Sequence, residues 1–272
     1  MAIQALIDAV AAAYDTDPPL VSVACRSERG TVADLNGSAT HAAASTMKLP
    51  LMVELFRRVD RGELSLEDRL EVVNRFRSVE GDGRTYRVSP PDDADFALYR
   101  YERRSVTVRF LVERMIGWSS NLATNLLLDL VDLKSLAATM EDLGLLDTVV
   151  ARGIEDRCAA EAGLANRVTA ADLTELLLAI LRETAASPAS CQAMLGHLSR
   201  QRWNDEIPAG LPPETLVAHK TGWVDGVLHD AALVFPPDGP PYALTVLTSG
   251  VKDGQVARRL IQRISAAVYD AR

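Results

Sequence analysis

The chain has 272 residues, 48% hydrophobic and 24% charged, a composition that fits one large globular domain or two small ones. Its 16 Gly and 13 Pro are scattered without period, which excludes a collagen-like fibre, and charges break every apolar run well before the roughly 18 residues of a membrane span. A net charge of −8 argues against a general nucleic-acid binder, which needs a basic face, and no membrane partner is expected.

The first residues, MAIQALIDAVAAAY, place no Lys or Arg ahead of an apolar run. They read as an amphipathic helix with Ile3, Leu6, Ile7 and Val10 on one side, not as a secretory leader, so a cytoplasmic location is expected. Leu20 to Arg26 and Thr31 to Leu35 read as a β-hairpin around Gly30. From Ser45 to about Val59 the apolar residues Leu49, Met52, Leu55 and Phe56 recur at helical spacing, with Pro50 tolerable near the helix start. Residues 79–104 are polar and hold Gly81, Gly83 and a Pro90-Pro91 pair, so they read as a long loop of the kind that borders a site. Tyr86, Tyr99 and Tyr101 in this loop are candidates to stack on a substrate, with surface packing an equal reading.

Helices are predicted at 106–116, 121–131, 133–143, 169–184 and 188–198, with a polar connection at 152–167. Strands follow at 215–221, 227–235 and 242–248, joined by turns short enough to impose antiparallel pairing, and a last helix runs from Asp253 to Tyr269. The implied fold is mixed α/β (α+β): one antiparallel sheet built from both ends of the chain, flanked by the terminal helices, with a helical insertion. Residues 1–44 and 213–272 would form a discontinuous α/β subdomain and residues 45–212 a helical one, with the active site between them.

Cys25, Cys158 and Cys191 are odd in number and far apart, which suggests buried thiols and neither a disulfide framework nor a zinc site. No metal-ligand spacing and no nucleotide motif occurs, so no cofactor is expected. Only four of the 29 basic residues are lysine: Lys48, Lys134, Lys220 and Lys252. Arginine cannot lose its proton in practice, whereas a buried lysine can, so each lysine is a candidate for chemistry.

Ser45-Thr46-Met47-Lys48 is S-x-x-K at a helix start, and residues three apart share a helix face, so the amine can reach the hydroxyl. Free N–H groups at the helix start add positive potential beside the nucleophile. An ordinary lysine is a poor base near neutrality, and desolvation or a second cation would lower its pKa. The other lysine motif is Lys220-Thr221-Gly222, on a late strand before Trp223, and Ser119-Ser120-Asn121 falls between them at a helix start. Each has a plain reading alone, as a helix cap or a solvated lysine.

Taken in order, S-x-x-K, S-x-N and K-T-G form the signature of penicillin-interacting serine enzymes. The chain therefore resembles the class A β-lactamase and penicillin-binding-protein superfamily over essentially its whole length. The resemblance implies that Ser45 is the nucleophile, Lys48 the base or proton relay, and Ser119 the donor to the leaving nitrogen or oxygen. It implies that Asn121 holds a substrate amide carbonyl and that Lys220 and Thr221 bind a carboxylate near the scissile carbonyl of a small-molecule substrate. The backbone N–H groups of Ser45 and Trp223, beside Gly222, would form the oxyanion hole. Ser120 departs from the aspartate usual in the second motif.

The family's E-x-x-L-N, whose carboxylate activates water for deacylation, is absent. Glu161 has Leu164 at the right place but Asn166 one residue late. Glu155 lies about the right distance before the Thr169 helix but lacks the Leu and Asn. Both are candidate deacylation bases, and the plainer reading of each is a solvated loop acid. His219 and His229 read as structural. A serine hydrolase for an ester, amide or β-lactam is expected, poor at deacylation; the rival is a module that binds or is acylated without turnover.

Overall fold

The computed structural model describes residues 2–14, 17–81 and 83–272. Met1, the first residue of the expected N-terminal helix, lies outside them. Helix α1 (Ala2–Ala11) leads to hairpin β1 (Leu20–Ser27) and β2 (Gly30–Leu35), and Gly30 opens β2 with φ 120°, a conformation that side chains resist. Strand β3 (His41–Ala42) runs into a 3-10 turn, Ala44–Met47, and helix α2 (Lys48–Asp60). Pro50 has no N–H to give the Thr46 carbonyl, so the helix opens with a tight turn before it becomes α-helical.

Next come β4 (Arg69–Glu71), β5 (Phe76–Arg77), β6 (Thr85–Tyr86), 3-10 turns at Pro90–Asp92 and Phe96–Tyr101, and β7 (Ser105–Thr107). Helices α3 (Val108–Gly117), α4 (Asn121–Leu128), α5 (Leu133–Asp142) and α6 (Arg157–Glu161) follow, then β8 (Arg167–Val168), α7 (Ala170–Leu181) and α8 (Pro188–Leu198). The chain closes with β9 (Leu216–Val224), β10 (Val227–Phe235), β11 (Tyr242–Ser249) and α9 (Gly254–Ala271). Thr107, Ser120, Asp132, Asp156, Thr169, Ser187 and Asp253 each cap a helix by accepting a first-turn N–H, a contribution of about 1 kcal/mol apiece.

The five long strands form one antiparallel sheet in the order β2-β1-β11-β10-β9, so both ends of the chain build it, and β9 is an edge. Side chains alternate between its faces. Val23, Ala232, Leu244 and Val246 pack under the apolar stripe of α9, Ala257, Leu260, Ile261, Ile264 and Val268, with Ile7 of α1 beside them. Ala24, Ala218, Ala231, Leu233 and Leu247 face the other way and share a core with α2, α3, α4, α7 and α8. Helix α2 is buried from Lys48 to Phe56, which makes it the axis of that core.

The described residues of 79–104 hold little regular structure, as expected, but they are anchored: Val88 and Leu98 are buried, and so are Asp93 and Asp95. The loop tyrosines do not reach a substrate cleft. Tyr86 packs on Phe76, Tyr99 stacks on Phe96 and donates to Asp93, and Tyr101 packs on Phe110. Their rings are spent on packing, the second of the two readings open to them, and not on stacking against a substrate.

Candidate active site

Three distant segments converge on Ser45. Its turn is held from both sides: the Ala43 N–H donates to the Asn166 carbonyl at 2.9 Å, and the Thr46 hydroxyl donates to the Ala43 carbonyl at 2.6 Å. Buried His229 lies with Nε2 2.9 Å from the Ala42 carbonyl, while its Nδ1 accepts the Thr248 N–H. Nδ1 also lies 2.9 Å from the Leu228 carbonyl, so the ring ties β10 to the approach to Ser45. Burial also holds its pKa down, at about 4. His219 pairs with Asp230 at 2.9 Å. Both histidines are structural.

Lys48 is fully buried, and its Nζ lies 2.9 Å from Ser45 Oγ, 2.7 Å from the Ser119 carbonyl, 3.0 Å from Asn121 Oδ1 and 3.2 Å from Ser119 Oγ. Lys220 Nζ, equally buried, donates to Ser119 Oγ at 2.9 Å and to the Thr221 carbonyl at 2.8 Å. The Ser119 hydroxyl thus sits between two amines. Burial first, and the Lys220 ammonium second, push the pKa of Lys48 well below that of an ordinary lysine, with Asp93 opposing. Burial brings Lys220 down to about 7 against the pull of Asp230 and Glu206. A neutral Lys48 has two N–H and one lone pair. The carbonyl oxygens of Ser119 and Asn121 can only accept, so they take the two N–H, and the lone pair is left for the Ser45 hydroxyl.

The second motif is positioned by residues that sequence reasoning missed. Asp93 accepts the N–H groups of Asn121 and Leu122 at 3.0 and 2.9 Å, and the Ser120 hydroxyl accepts that of Ala123 at 3.2 Å. Asp93 thereby puts a buried carboxylate at the start of α4, next to a motif that has serine in place of its aspartate. Arg114, ion-paired with buried Asp95, accepts the Ser120 N–H on its own carbonyl. The run Pro-Pro-Asp-Asp-Ala-Asp was the available signal, since short acidic side chains after prolines are strong capping groups.

Gly222 lies flat against the Ser45 turn. A Cβ there would meet the backbone nitrogens of Ser45 and Thr46 at 2.9 and 3.0 Å. Gly222→Ala must push β9 and the turn apart, and with them any donor pair for a developing oxyanion. Acylation is expected to slow by about 10²-fold, the worth of one such donor, in a protein that still unfolds cooperatively. Stopped-flow acylation rates beside circular dichroism melting check this.

The cleft in front of Ser45 consists of overlapping lobes of about 250 and 380 Å³. Ser45, Asn121, Glu155, Arg157 and Trp223 line both, and Ser119 and Asp92 line the smaller. Thr221, the expected carboxylate ligand, is not on the wall: its hydroxyl is buried with no partner among the described residues.

Of the two candidate acids, the fold brings in Glu155. Asn125 of α4 holds Ile154 by both ends, donating to its carbonyl at 2.9 Å and accepting its N–H at 2.8 Å. Gly153 passes under Tyr86, whose hydroxyl would lie 1.9 Å from an added Cβ. Buried Asp156 accepts from the Ser78 hydroxyl and the Val79 N–H. Glu155 itself accepts the Ser89 N–H at 2.9 Å, and burial raises its pKa. Glu161 is exposed on α6 and lines neither lobe, which corrects its candidacy: the α6 turn carries it away from the cleft. Asn166 does reach the wall, but its amide is committed. Oδ1 accepts the Ala151 and Arg152 N–H groups, and Nδ2 donates to the Arg152 carbonyl and Met47 Sδ.

Ala44, Ser119 and Glu155 take φ of 43°, 59° and 65°. Such left-handed backbone is costly for residues with a side chain and persists where the surroundings over-determine it. Three of them around one cleft mark a pre-shaped site.

Comparison with known proteins agrees. No curated protein matches the chain. Among solved structures, the beta-lactamase of Sphaerobacter thermophilus DSM 20745 superposes with a TM-score of 0.84 at 28% identity, over 99% of this chain and 95% of that one. PBP-A gives 0.81 at 25%, over 99% and 94%. A beta lactamase from Xanthomonas campestris shares the fold at 22% identity, with a TM-score of 0.84 over 99% and 97%. The architecture is thus the β-lactamase/transpeptidase-like fold of serine hydrolases. A family model described as Beta-lactamase enzyme family matches residues 2–272, the span that carries the sheet, the helices and all three motifs, and the chain belongs to that family.

Proposed function

We propose that the protein is a serine hydrolase that opens an ester, amide or β-lactam carbonyl through an acyl-Ser45 intermediate. The observation that carries this reading is the 2.9 Å contact between Ser45 Oγ and the buried Lys48 amine. Ser45 Oγ bonds the carbonyl carbon as its proton passes to Lys48 Nζ. The tetrahedral oxyanion is held by the backbone N–H groups of Ser45 and Trp223. The bond to the leaving nitrogen or oxygen breaks as that atom takes a proton from the Ser119 hydroxyl, which recovers one through the amines on either side of it. Asn121 orients the acyl amide; Arg157, which lines both lobes, is the cation on the wall for a substrate carboxylate, and Lys220, buried behind Ser119, adds positive potential there.

Deacylation needs a water deprotonated toward the ester. Glu155 is the carboxylate that lines both lobes of the cleft, whereas Asp92 lines only the smaller, and the committed amide of Asn166 has no donor or acceptor left to hold that water. Deacylation is therefore slower than acylation, and the acyl-enzyme accumulates. PBP-A, similar in fold, is seen as an acyl-enzyme with penicillin-G in a variant that carries one leucine-to-glutamate change. Intact-mass spectrometry after mixing with benzylpenicillin, with peptide mapping, tests the reading: an adduct on Ser45 forms and then decays with release of product. No adduct and no product from benzylpenicillin, nitrocefin or p-nitrophenyl esters would overturn it. A permanent adduct would instead support the trap or sensor, the reading favoured by the missing E-x-x-L-N.

The pH dependence follows from Lys220. Its ammonium attracts an anionic substrate below its pKa and is lost above it, so kcat/KM for a penicillin falls as pH rises through about 7. A neutral ester of the same penicillin should lack that descending limb.

A further inference from the structure

A second cavity, of about 510 Å³, lies beside the β9–β10 hairpin against the start of α9. That volume suits a small organic ligand. Its walls combine an apolar floor, Leu228 and Val251, with two indoles, Trp203 and Trp223, that meet edge to face with ring centres 5.5 Å apart. The indoles are 37% and 41% exposed, unusual for tryptophan in a folded chain. The one buried charge on the wall is Glu206, 4% exposed. Its Oε1 accepts from Arg258 Nε at 3.2 Å, whereas its Oε2 is buried and has no partner among the described residues. A buried carboxylate oxygen without a donor is a standing cost, and a small turn of the Glu206 carboxyl toward the cavity would let a ligand N–H remove it. Asp205 and Asp225 add negative charge around the opening, against Lys252 and Arg258.

We propose that this cavity binds a small amphipathic amine, whose ammonium donates to Glu206 Oε2 while its aromatic or aliphatic body lies against Trp203 and Trp223. An ammonium at an indole face gains a cation–π attraction in addition to the hydrogen bond. An anion would meet the Glu206 carboxylate, and a neutral ligand would lose the charge-assisted bond. The site is separate from the chemistry at Ser45 and does not depend on it. Trp223 lines both spaces, so an occupant would sit one residue from Gly222 and the Ser45 turn.

The test uses the Ser45→Ala protein, so that covalent chemistry plays no part. All three tryptophans of the chain, Trp118, Trp203 and Trp223, can be excited without exciting a phenyl ring. Titration with phenylethylamine should give a saturable fluorescence change that 2-phenylethanol and phenylacetate do not reproduce at the same concentrations. Glu206→Gln should weaken binding by about tenfold or more, the loss of one charge-assisted bond. Glu206 does not line the Ser45 cleft, so this loss separates the cavity from the cleft. Trp203→Leu, at an exposed position that leaves the fold intact, should weaken binding as well. A linear, non-saturating response, an equal response to 2-phenylethanol, or unchanged affinity in both variants would overturn the proposal.

Discussion

Lys48→Arg is expected to slow acylation by about 10³-fold or more, Ser45→Ala to abolish it, and the double variant to behave as Ser45→Ala alone. The two side chains form one device. The hydroxyl attacks only as its proton leaves, and the amine accepts it only if its lone pair points that way. Arginine puts a permanent positive charge where the neutral amine stood, and it can still donate to the Ser119 carbonyl and Asn121 Oδ1. A guanidinium cannot give up its proton at any workable pH, so the base is gone. Single-turnover acylation by nitrocefin, with intact mass as an independent readout, measures all three variants. Lys48→Arg acylating at the native rate would show that Lys48 serves only as a charge and that the base lies elsewhere.

The same pair shows why the centre of the site is legible in sequence. S-x-x-K works through a local spacing, since three residues along a helical turn place amine and hydroxyl together whatever surrounds them. The sheet is legible too. Strands of eight or nine residues such as Val227–Phe235 display their β-branched, apolar character, and short turns force their pairing. Strands of two or three residues such as His41–Ala42 do not, because two residues carry no period. The supports of the site are illegible for a different reason. Asp93 acts on residue 121, Asn125 on residue 154 and Asn166 on residue 47, and nothing along the chain announces such pairings. The loop tyrosines mislead in the same way: exposed aromatic residues near a site look like ligands for a substrate until the phenylalanines they pack against are placed. Glu155 and Glu161 are equivalent acids on paper. The bonds from Asn125 to Ile154, from Ser78 and Val79 to Asp156 and from Ser89 to Glu155 make one a wall of the cleft, while the other stays in solvent.

That difference sets up the second expectation. Glu155→Gln should leave acylation within a few-fold of native and slow deacylation by about 10²–10⁴-fold, the worth of a positioned general base. The substitution is close to isosteric. The glutamine carbonyl can still accept the Ser89 N–H, and residue 155 keeps its left-handed backbone, which Ile154 and Asp156 impose from either side. What is lost is the capacity to take a proton from water. Burial raises the pKa of Glu155, with Asp92 and Asp93 adding to the rise, so the fraction ionised increases with pH through that raised value. The native deacylation rate should climb across the same interval and the variant's should not. Time-resolved mass spectrometry of the Ser45 adduct, followed after excess penicillin is removed, reads both rates directly. Glu161→Gln, exposed and outside the cleft, is the control and should decay at the native rate. Native decay in the Glu155 variant would transfer deacylation to another group. A chain without Glu155 chemistry would hold its acyl group, and the serine hydrolase would become the trap that the missing E-x-x-L-N suggests.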